Sequence, residues 1–502
     1  MGKCHINFPI NLVEKIDKLC DNLLNLCIEN KHDPTFQWHF KQLQKIYCII
    51  SQLMNLQEKY KLNFNNRNEY LSKFILWLKL NNLKNLEKFE IKMCENKGLG
   101  IYSTNLIRTN QTLTRINKNI ILDSSSDHDL SLKSIIQNDL LLQKMQNVSL
   151  SLLLLEEMHK KDSFWKPYLD ILPQTFNTPL YFSENDFEIA KSSLSFDFIY
   201  NHVCSISRQY VYIYRLLKKL SQNKSSQNFI FYDHFTYEDY RWAVSCVSTR
   251  QNRIVKKNDF AKEESILALI PFMDMFNHDG NLPMSIDYDI ENQDVIIYAP
   301  KIYHIDQQIC MNYGNRSSAQ YLIHNGFIPD EINRFDEISL KFGLNSNDPT
   351  LLIKNTYLKE LNDENIINDA SNVFISSDNY STLILTLNLE KFPLQLTAFN
   401  MLRIICMTLD DIRKLEMYSN DKKINNIIFE SFELRENEIK SWKHLLIRTK
   451  LLSNRHTTIL QQSSHEISYD SHKLINILIN RELQVLSHVI SFIDEKLESF
   501  AA

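Results

Sequence analysis

Residues 313–327 read YGNRSSAQYLIHNGF, and the reading of the whole chain turns on this stretch. It holds Gly314 and Gly326, two of only seven glycines in 502 residues. A chain so poor in glycine keeps it where the backbone takes a positive φ or lets something approach closely. KGLG at 97–100 holds two more. Both segments are candidate ligand-facing turns, although ordinary turn glycines would account for either one alone. Working outward, NYG at 312–314 completes a set with ENKGLG at 95–100, TRQNRI at 249–254 and DMFNH at 274–278. Singly these are weak: Asn-His is common in surface turns, and a lone GxG lacks the second half of a dinucleotide fingerprint.

Composition narrows the class. The chain is 44% hydrophobic, 11% aromatic and 23% charged, as soluble globular proteins are, and is long enough for about three domains. A net charge of -4 gives no drive toward nucleic acid or anionic lipid. No apolar run approaches the roughly 18 residues that span a bilayer. Charges at Lys3, Glu14, Lys15, Asp17 and Lys18 break any signal-like core, and Ile6 stands where N-myristoylation wants Ser or Thr. The nine cysteines form no CxxC pair, which disfavours a thiolate zinc site and a disulfide framework. Free thiols fit a reducing cytosol or nucleus. The expectation is a cytoplasmic protein, with the nucleus as a second compartment, and without metal, membrane or nucleic-acid partner.

Periodicity organises the rest. VEKIDKLCDNLLNLCIE (13–29) and FQWHFKQLQKIYCIISQLMNLQEKY (36–60) carry helical spacing, as a partner-binding arm or, preferably, as a lid packed on the next domain. From Phe89 to about Thr114 the pattern alternates like strands, broken at Gly98-Leu99-Gly100. Residues 131–222 are helix-rich, with LSLLLLEEMHKK (150–161) the clearest segment, and SQNKSSQN (221–228) reads as a polar loop. SIDYDI and DVIIYAP predict a hairpin across Glu291-Asn292-Gln293, and residues 346–500 read as mostly helical.

In this order and spacing the four motifs resemble the SET-domain signature, in the branch typified by the Rubisco large-subunit methyltransferase. DHFTYEDYRWAVSCVSTRQNRI (233–254), ALIPFMDMFNH (268–278), YGNRSSAQYLIHNGF and QLTAFNMLRIICMT (395–408) look like stretches of its actin-histidine N-methyltransferase group. The likeness runs from about Arg67 to 490, with 1–60 matching loosely. It implies an α+β fold: small β-sheets with a knotted C-terminal segment, and a helical insert. The implied order is an N-terminal helical region at 1–88, a SET domain at 89–335 with its insert at about 131–262, and an all-helical substrate-binding domain at 336–502. The implied activity is transfer of a methyl group from S-adenosylmethionine to the tele nitrogen of one actin histidine, by a monomer.

The resemblance also implies roles. Lys97, Gly98 and Leu99 would carry the cofactor, with Arg67 and Arg250 on its carboxylate, for which forked guanidinium donors are suited. Asp274, Met275, Phe276, Asn277 and His278 would hold the adenosine, and Asn325, Gly326 and Phe327 would close the pocket. Tyr313 would stand at the methyl-transfer channel and Asn252 would hold the acceptor ring, while Gln251, Met273 and Arg316 contact the substrate. Lysine, near pKa 10.4, is about one part in a few thousand neutral at pH 7, whereas histidine, near about 6.5, is mostly neutral. A histidine site therefore needs the correct tautomer more than a base.

Two positions depart from the pattern. Met273 stands where the family has tryptophan, and Asn325 where relatives usually have serine. A thioether specifies geometry less than a flat ring, so a non-histone lysine acceptor stays open. An inactive SET-like scaffold is the third reading; the retained Gly98, Gly100, Asn277, His278 and Tyr313 speak against it.

Overall fold

The computed structural model describes residues 8–29, 36–64, 66–94, 97–123, 132–222, 235–257, 263–364, 372–375, 381–417, 434–463 and 470–501. Helix α1 (Ile10–Ile28) buries Ile16, Cys20, Leu23 and Cys27, the stripe set up by three- and four-residue spacing. Helices α2 (Phe36–Gln57) and α3 (Leu71–Leu80) follow. A helical block interrupts the strands: α4 (Lys133–Asn138), α5 (Leu140–Lys144), α6 (Gln146–His159), α7 (Lys166–Leu169), α8 (Glu184–Ala190), α9 (Phe196–Gln222) and α10 (Tyr237–Arg250). The N-terminal helices are fastened to this block. Gln57 donates to the Tyr210 hydroxyl at 2.8 Å and accepts from the Tyr237 N–H at 2.9 Å. They form a packed lid, not a free arm.

The helical block ends at Arg250, short of the expected 262, because residues 252–257 pair as a strand instead. Of SQNKSSQN, residues 223–228 lie outside the described residues. Inside the block, fully buried Trp165 and Trp242 donate their indole N–H groups to the carbonyls of Ile120 (3.0 Å) and Pro173 (2.8 Å). Each thus buries a large apolar surface without stranding a polar atom.

Ten strands surround the block: β1 (Phe89–Cys94), β2 (Gly98–Ser103), β3 (Thr112–Ile116), β4 (Leu122–Asp123), β5 (Asn252–Lys257), β6 (Glu263–Leu269), β7 (Asn277–His278), β8 (Ile286–Asp289), β9 (Asp294–Tyr298) and β10 (Gln308–Met311). They form three small sheets, ordered β1-β2-β10-β7, β3-β9-β8 and β4-β6-β5. The β8–β9 hairpin forms as the alternation predicts, with Gln293 in the left-handed region at φ 56°. Strand β10 inserts between β2 and β7, antiparallel to the first and parallel to the second. This interleaving of early and late strands brings KGLG, DMFNH and NYG to one place. Helix α11 (Ser318–Asn325) leaves from it, with a Ser317–Gln320 capping box at one end and left-handed Gly326 at the other.

The C-terminal region corrects the all-helical expectation. Strands β11 (Glu337–Gly343), β12 (Asn372–Ile375) and β13 (Ser381–Asn388) form an antiparallel sheet ordered β11-β13-β12. The cause is period-two burial: Ile338, Leu340 and Phe342 face inward and lie opposite buried Leu387, Leu385 and Leu383. Helices α12 (Leu351–Glu364), α13 (Leu396–Cys406) and α14 (Leu409–Met417) precede two long helices, Arg435–Ser463 and Asp470–Ala501. QLTAFNMLRIICMTLDDIRKLE divides at Thr408, which exchanges capping hydrogen bonds with Asp411 and starts a new helix.

Two apolar cores result. Helix Asp470–Ala501 joins them, giving Ile475, Leu478 and Ile479 to the first and Val485, Leu486, Val489 and Ile493 to the second. At the junction Glu482 accepts from Ser193 and Ser195 hydroxyls at 2.6 and 2.8 Å. Its neighbour Arg481 donates to the carbonyls of Pro329, Asp330 and Glu331 at 3.0, 2.9 and 2.6 Å. These bonds fix the chain just beyond Phe327.

Candidate active site

The site starts at Gly98, whose φ of +75° turns the backbone into β2. The short helix Arg67–Tyr70 brings a guanidinium to this turn: a Cβ at Gly98 would stand 3.9 Å from Arg67 Nη1. Two residues on, a Cβ at Gly100 would collide with the Gln308 amide and come within 3.0 Å of Asn277 Nδ2. That amide donates to the Leu99 carbonyl at 3.3 Å, so Asn277 holds the turn by its side chain. Lys97 is exposed, with Nζ 3.3 Å from Asp330 Oδ2. Glu95 and Asn96 of the motif lie outside the described residues.

Behind the turn sits a buried charge cluster. The Asp274 side chain is fully enclosed; one oxygen accepts from the Tyr168 hydroxyl at 2.6 Å and lies 3.6 Å from Arg250 Nε. Burial raises the Asp274 carboxyl to about 6, against the pull of Arg250 and Tyr168. Burial, then repulsion from Arg250, lowers Arg67 to about 10. Arg250 thus pairs with Asp274 while Arg67 lies within the carboxylate's electrostatic reach, and Arg67 Nε, Arg250 Nε and Asp274 Oδ1 are buried without hydrogen-bond partners. Two unit charges about 4 Å apart interact by roughly 4 kcal/mol at an effective dielectric of about 20. The surplus cation and its unused donors are therefore suited to a ligand carboxylate, the group by which an amino-acid-bearing cofactor would be held.

An aromatic wall stands beside the charges. The His278 ring lies 5.2 Å from Tyr313, 4.8 Å from Tyr321 and 5.7 Å from Phe327, centroid to centroid. His278 Nδ1 accepts the Tyr313 main-chain N–H at 3.2 Å, which leaves the proton of the neutral ring on Nε2. Burial holds His278 down to about 4, so the ring is neutral. The Tyr313 hydroxyl donates to the Phe276 carbonyl at 2.6 Å, and burial pushes this phenol well above its ordinary value. Left-handed Gly326 closes the wall, where a Cβ would press on the backbone of Asn177 and Thr178 at 3.3 Å.

The residues that the resemblance assigns to the acceptor begin at the end of α10. Asn252 Nδ2 donates to the Arg250 carbonyl at 3.0 Å, a bond that leaves Oδ1 as the acceptor end of the amide. Gln251 Oε1 is buried and unpartnered, and Met273 is 4% exposed. Met273 follows Phe272, buried with φ 75° and ψ -49°, a strained setting for a bulky residue. Met275 and Phe276 are core side chains and would meet a ligand only through backbone. Arg316 Nη1 donates to Asn325 Oδ1 at 2.6 Å, which commits the Asn325 side chain.

The fold gathers most of the eighteen residues given roles from the sequence; exposed Lys97 and core Met275 and Phe276 stand back with their side chains. Sequence reasoning missed Tyr168, which orients Asp274 from 106 positions away, and Phe176, whose ring lies 5.9 Å from the Arg250 guanidinium. Nothing in SFWKPYL or QTFNT distinguishes them from core aromatics. Among the described residues no group of three or more His, Cys, Asp or Glu could hold a metal ion, and no helix is long and apolar enough to cross a membrane.

No protein-family model matches the chain. It is 26% identical over 487 residues to the Homo sapiens actin-histidine N-methyltransferase, covering 95% of this chain and 77% of that protein. The Rattus norvegicus protein of that name is 27% identical over 454 residues, covering 89% and 71%. Among solved structures, the SET domain of LSMT bound to lysine and AdoHcy superposes with a TM-score of 0.63 at 18% identity, covering 86% of this chain and 92% of that one. Rubisco LSMT bound to AdoMet gives 0.61 at 18% identity, covering 85% and 92%. The chain therefore has the SET-domain fold of the Rubisco LSMT structures, and over nearly its whole length its sequence is similar to the actin-histidine N-methyltransferases.

Proposed function

We propose that this protein is an S-adenosylmethionine-dependent protein-histidine N-methyltransferase acting on the tele nitrogen of one histidine in actin. The observation that carries the reading is the pair of half-buried guanidiniums, Arg67 beside the left-handed Gly98 turn and Arg250 paired with Asp274, each with a buried unpartnered Nε, with Asn252 bonded to the Arg250 carbonyl. The names of the sequence relatives support the choice of actin and of histidine.

When bound, the cofactor supplies an electrophilic methyl on a sulfonium. The chain's residues do the rest by placement. Arg67 and Arg250 would hold the cofactor's carboxylate, the Gly98–Leu99 backbone and Asn277 would border its methionine part, and His278 and Phe327 would wall its adenosine part. Tyr313 keeps its proton and acts as a fixed dipole, not a base. Asn252 Oδ1 accepts a hydrogen bond from the acceptor ring's Nδ1–H, which keeps the proton there and leaves Nε2 bare for attack. Arg316 holds the peptide, which enters between the SET part (89–335) and the C-terminal part (336–502). The protein would work as a monomer in the cytoplasm, with the nucleus as a second compartment. Incubation with actin and labelled S-adenosylmethionine tests the proposal: one methyl on one histidine is expected, and unlabelled actin would overturn it.

A lysine acceptor is the second reading, and Met273 favours it by leaving a softer pocket wall. It requires loss of an ammonium proton before attack, a step that a mostly neutral histidine does not need.

A further inference from the structure

We propose that Asn325 is a positioning residue that aims Arg316 at the acceptor peptide, and that its side chain is not a ligand of the cofactor. The inference rests on the function proposed above. Its starting point is the 2.6 Å hydrogen bond from Arg316 Nη1 to Asn325 Oδ1. Arginine only donates, so the Asn325 carbonyl oxygen must face it, and this bond sets the orientation of the whole amide.

The two residues flank one rigid element. Arg316 precedes Ser317, the N-cap of α11, and Asn325 is the last residue of that helix. The Ser317–Gln320 box fixes the first turn, and Gly326 N–H reaches the carbonyls of Tyr321 and Leu322 at 3.0 and 3.2 Å to fix the last. The Tyr321 hydroxyl donates to the Gly314 carbonyl at 2.7 Å, and Asn333 Nδ2 donates to the Arg316 carbonyl at 2.8 Å. The Arg316 main chain is thus set from two sides, and only its long side chain needs orienting. Asn325 supplies that restraint through one of five N–H groups, which leaves the remaining fork for a peptide carbonyl. A side chain held in its bound rotamer loses less freedom when the peptide arrives.

The alternative places the Asn325 amide on the cofactor, and the two roles separate kinetically. Steady-state methylation of an actin-loop histidine peptide is measured for the wild type, Asn325→Ala and Asn325→Asp, with thermal unfolding as a check on folding. Asn325→Ala is expected to raise the peptide KM about three- to tenfold, the worth of one hydrogen bond, and to leave the cofactor KM within about twofold. Asn325→Asp, which keeps an acceptor oxygen for Arg316, is expected to restore the peptide KM to within about threefold of wild type. A rise in cofactor KM with peptide KM unchanged overturns the proposal, as does an aspartate variant no better than alanine. If Asn325→Ala does not fold, Asn325→Leu, which keeps the volume and removes the acceptor oxygen, takes its place with the same expected outcome. Absence of transfer by the wild type overturns the functional reading and this proposal together; transfer with the wrong KM affected overturns this proposal alone.

Discussion

The Tyr313 hydroxyl donates to the Phe276 carbonyl at 2.6 Å. This bond joins the NYG strand end to the main chain just before Asn277 and His278. Together with the Tyr313 N–H on His278 Nδ1, it fixes the tyrosine from both its ends.

Tyr313→Phe therefore removes a fixed dipole and strands a carbonyl, without removing a base. Its kcat should fall about 10- to 100-fold, the scale of a small misplacement at the reacting centre, with the cofactor KM within about threefold. Steady-state kinetics on a histidine peptide checks this. A kcat restored by raising the pH would contradict it, because that is the mark of a titrating base.

Arg67→Met should separate binding from stability. Arg67 and Arg250 compete for one carboxylate, and burial with that repulsion already lowers Arg67 to about 10. Removing Arg67 should weaken cofactor binding at least about tenfold, since a desolvated charge contact is lost. Thermal stability should hold or rise, because the like-charge repulsion goes with it. Calorimetric titration and a melting curve read both. A lower melting point with unchanged affinity would assign Arg67 to the scaffold.

Glycine substitutions should divide by surroundings. Gly326 has φ +75° and the backbone of Asn177 and Thr178 at 3.3 Å from any added Cβ, and backbone cannot swing away. Gly326→Ala should cost about 1–3 kcal/mol of stability, from left-handed strain plus crowding. Gly343, where nothing lies within 4 Å, should tolerate alanine to within about 0.5 kcal/mol. Denaturant midpoints of the two variants give the comparison.

The pH dependence of stability carries opposite signs at two site residues. Burial holds His278 down to about 4, so acid protonates the unfolded chain first. Its stabilisation is present above about pH 6.5 and is lost as pH falls toward 4. Burial holds Asp274 up to about 6, so the folded state protonates first; its contribution is present below its unfolded value of 3.8 and is lost as pH rises through 6. Asp274→Asn removes only the second term. The melting-temperature advantage of wild type over this variant should be larger at pH 5 than at pH 7. The reverse order would refute the assignment.

Much of this was legible in the sequence because it is local. The SIDYDI–DVIIYAP hairpin, the α1 stripe and the Gly98 turn follow from spacing and residue type within a few positions. The β11–β13–β12 sheet was missed: its short alternating runs are separated by α12 and by residues outside the description, and helical patterns dominate around them. Tyr168 on Asp274 and Arg316 on Asn325 are side-chain meetings that tertiary packing creates. No periodicity announces them, and the second shows that a position read as a cofactor contact is already engaged. The four motifs named the place; their order alone could not say which side chains were still free in it.

Asn252→Ala should relax acceptor choice more than it slows transfer. The Asn252 amide is tied to the Arg250 carbonyl at 3.0 Å, and on the proposed function its oxygen would accept the imidazole N–H. Without it the tautomer is unguided, and the rate ratio of histidine to lysine peptide should drop at least about tenfold. An unchanged ratio would remove Asn252 from the specificity machinery.

The most direct test of histidine methylation uses labelled S-adenosylmethionine and two actin-loop peptides, one with the histidine and one with lysine in its place. The predicted result is one methyl on the tele nitrogen of the histidine peptide, located by fragmentation mass spectrometry, with little or none on lysine. Preferential labelling of the lysine peptide, or of neither, would contradict it.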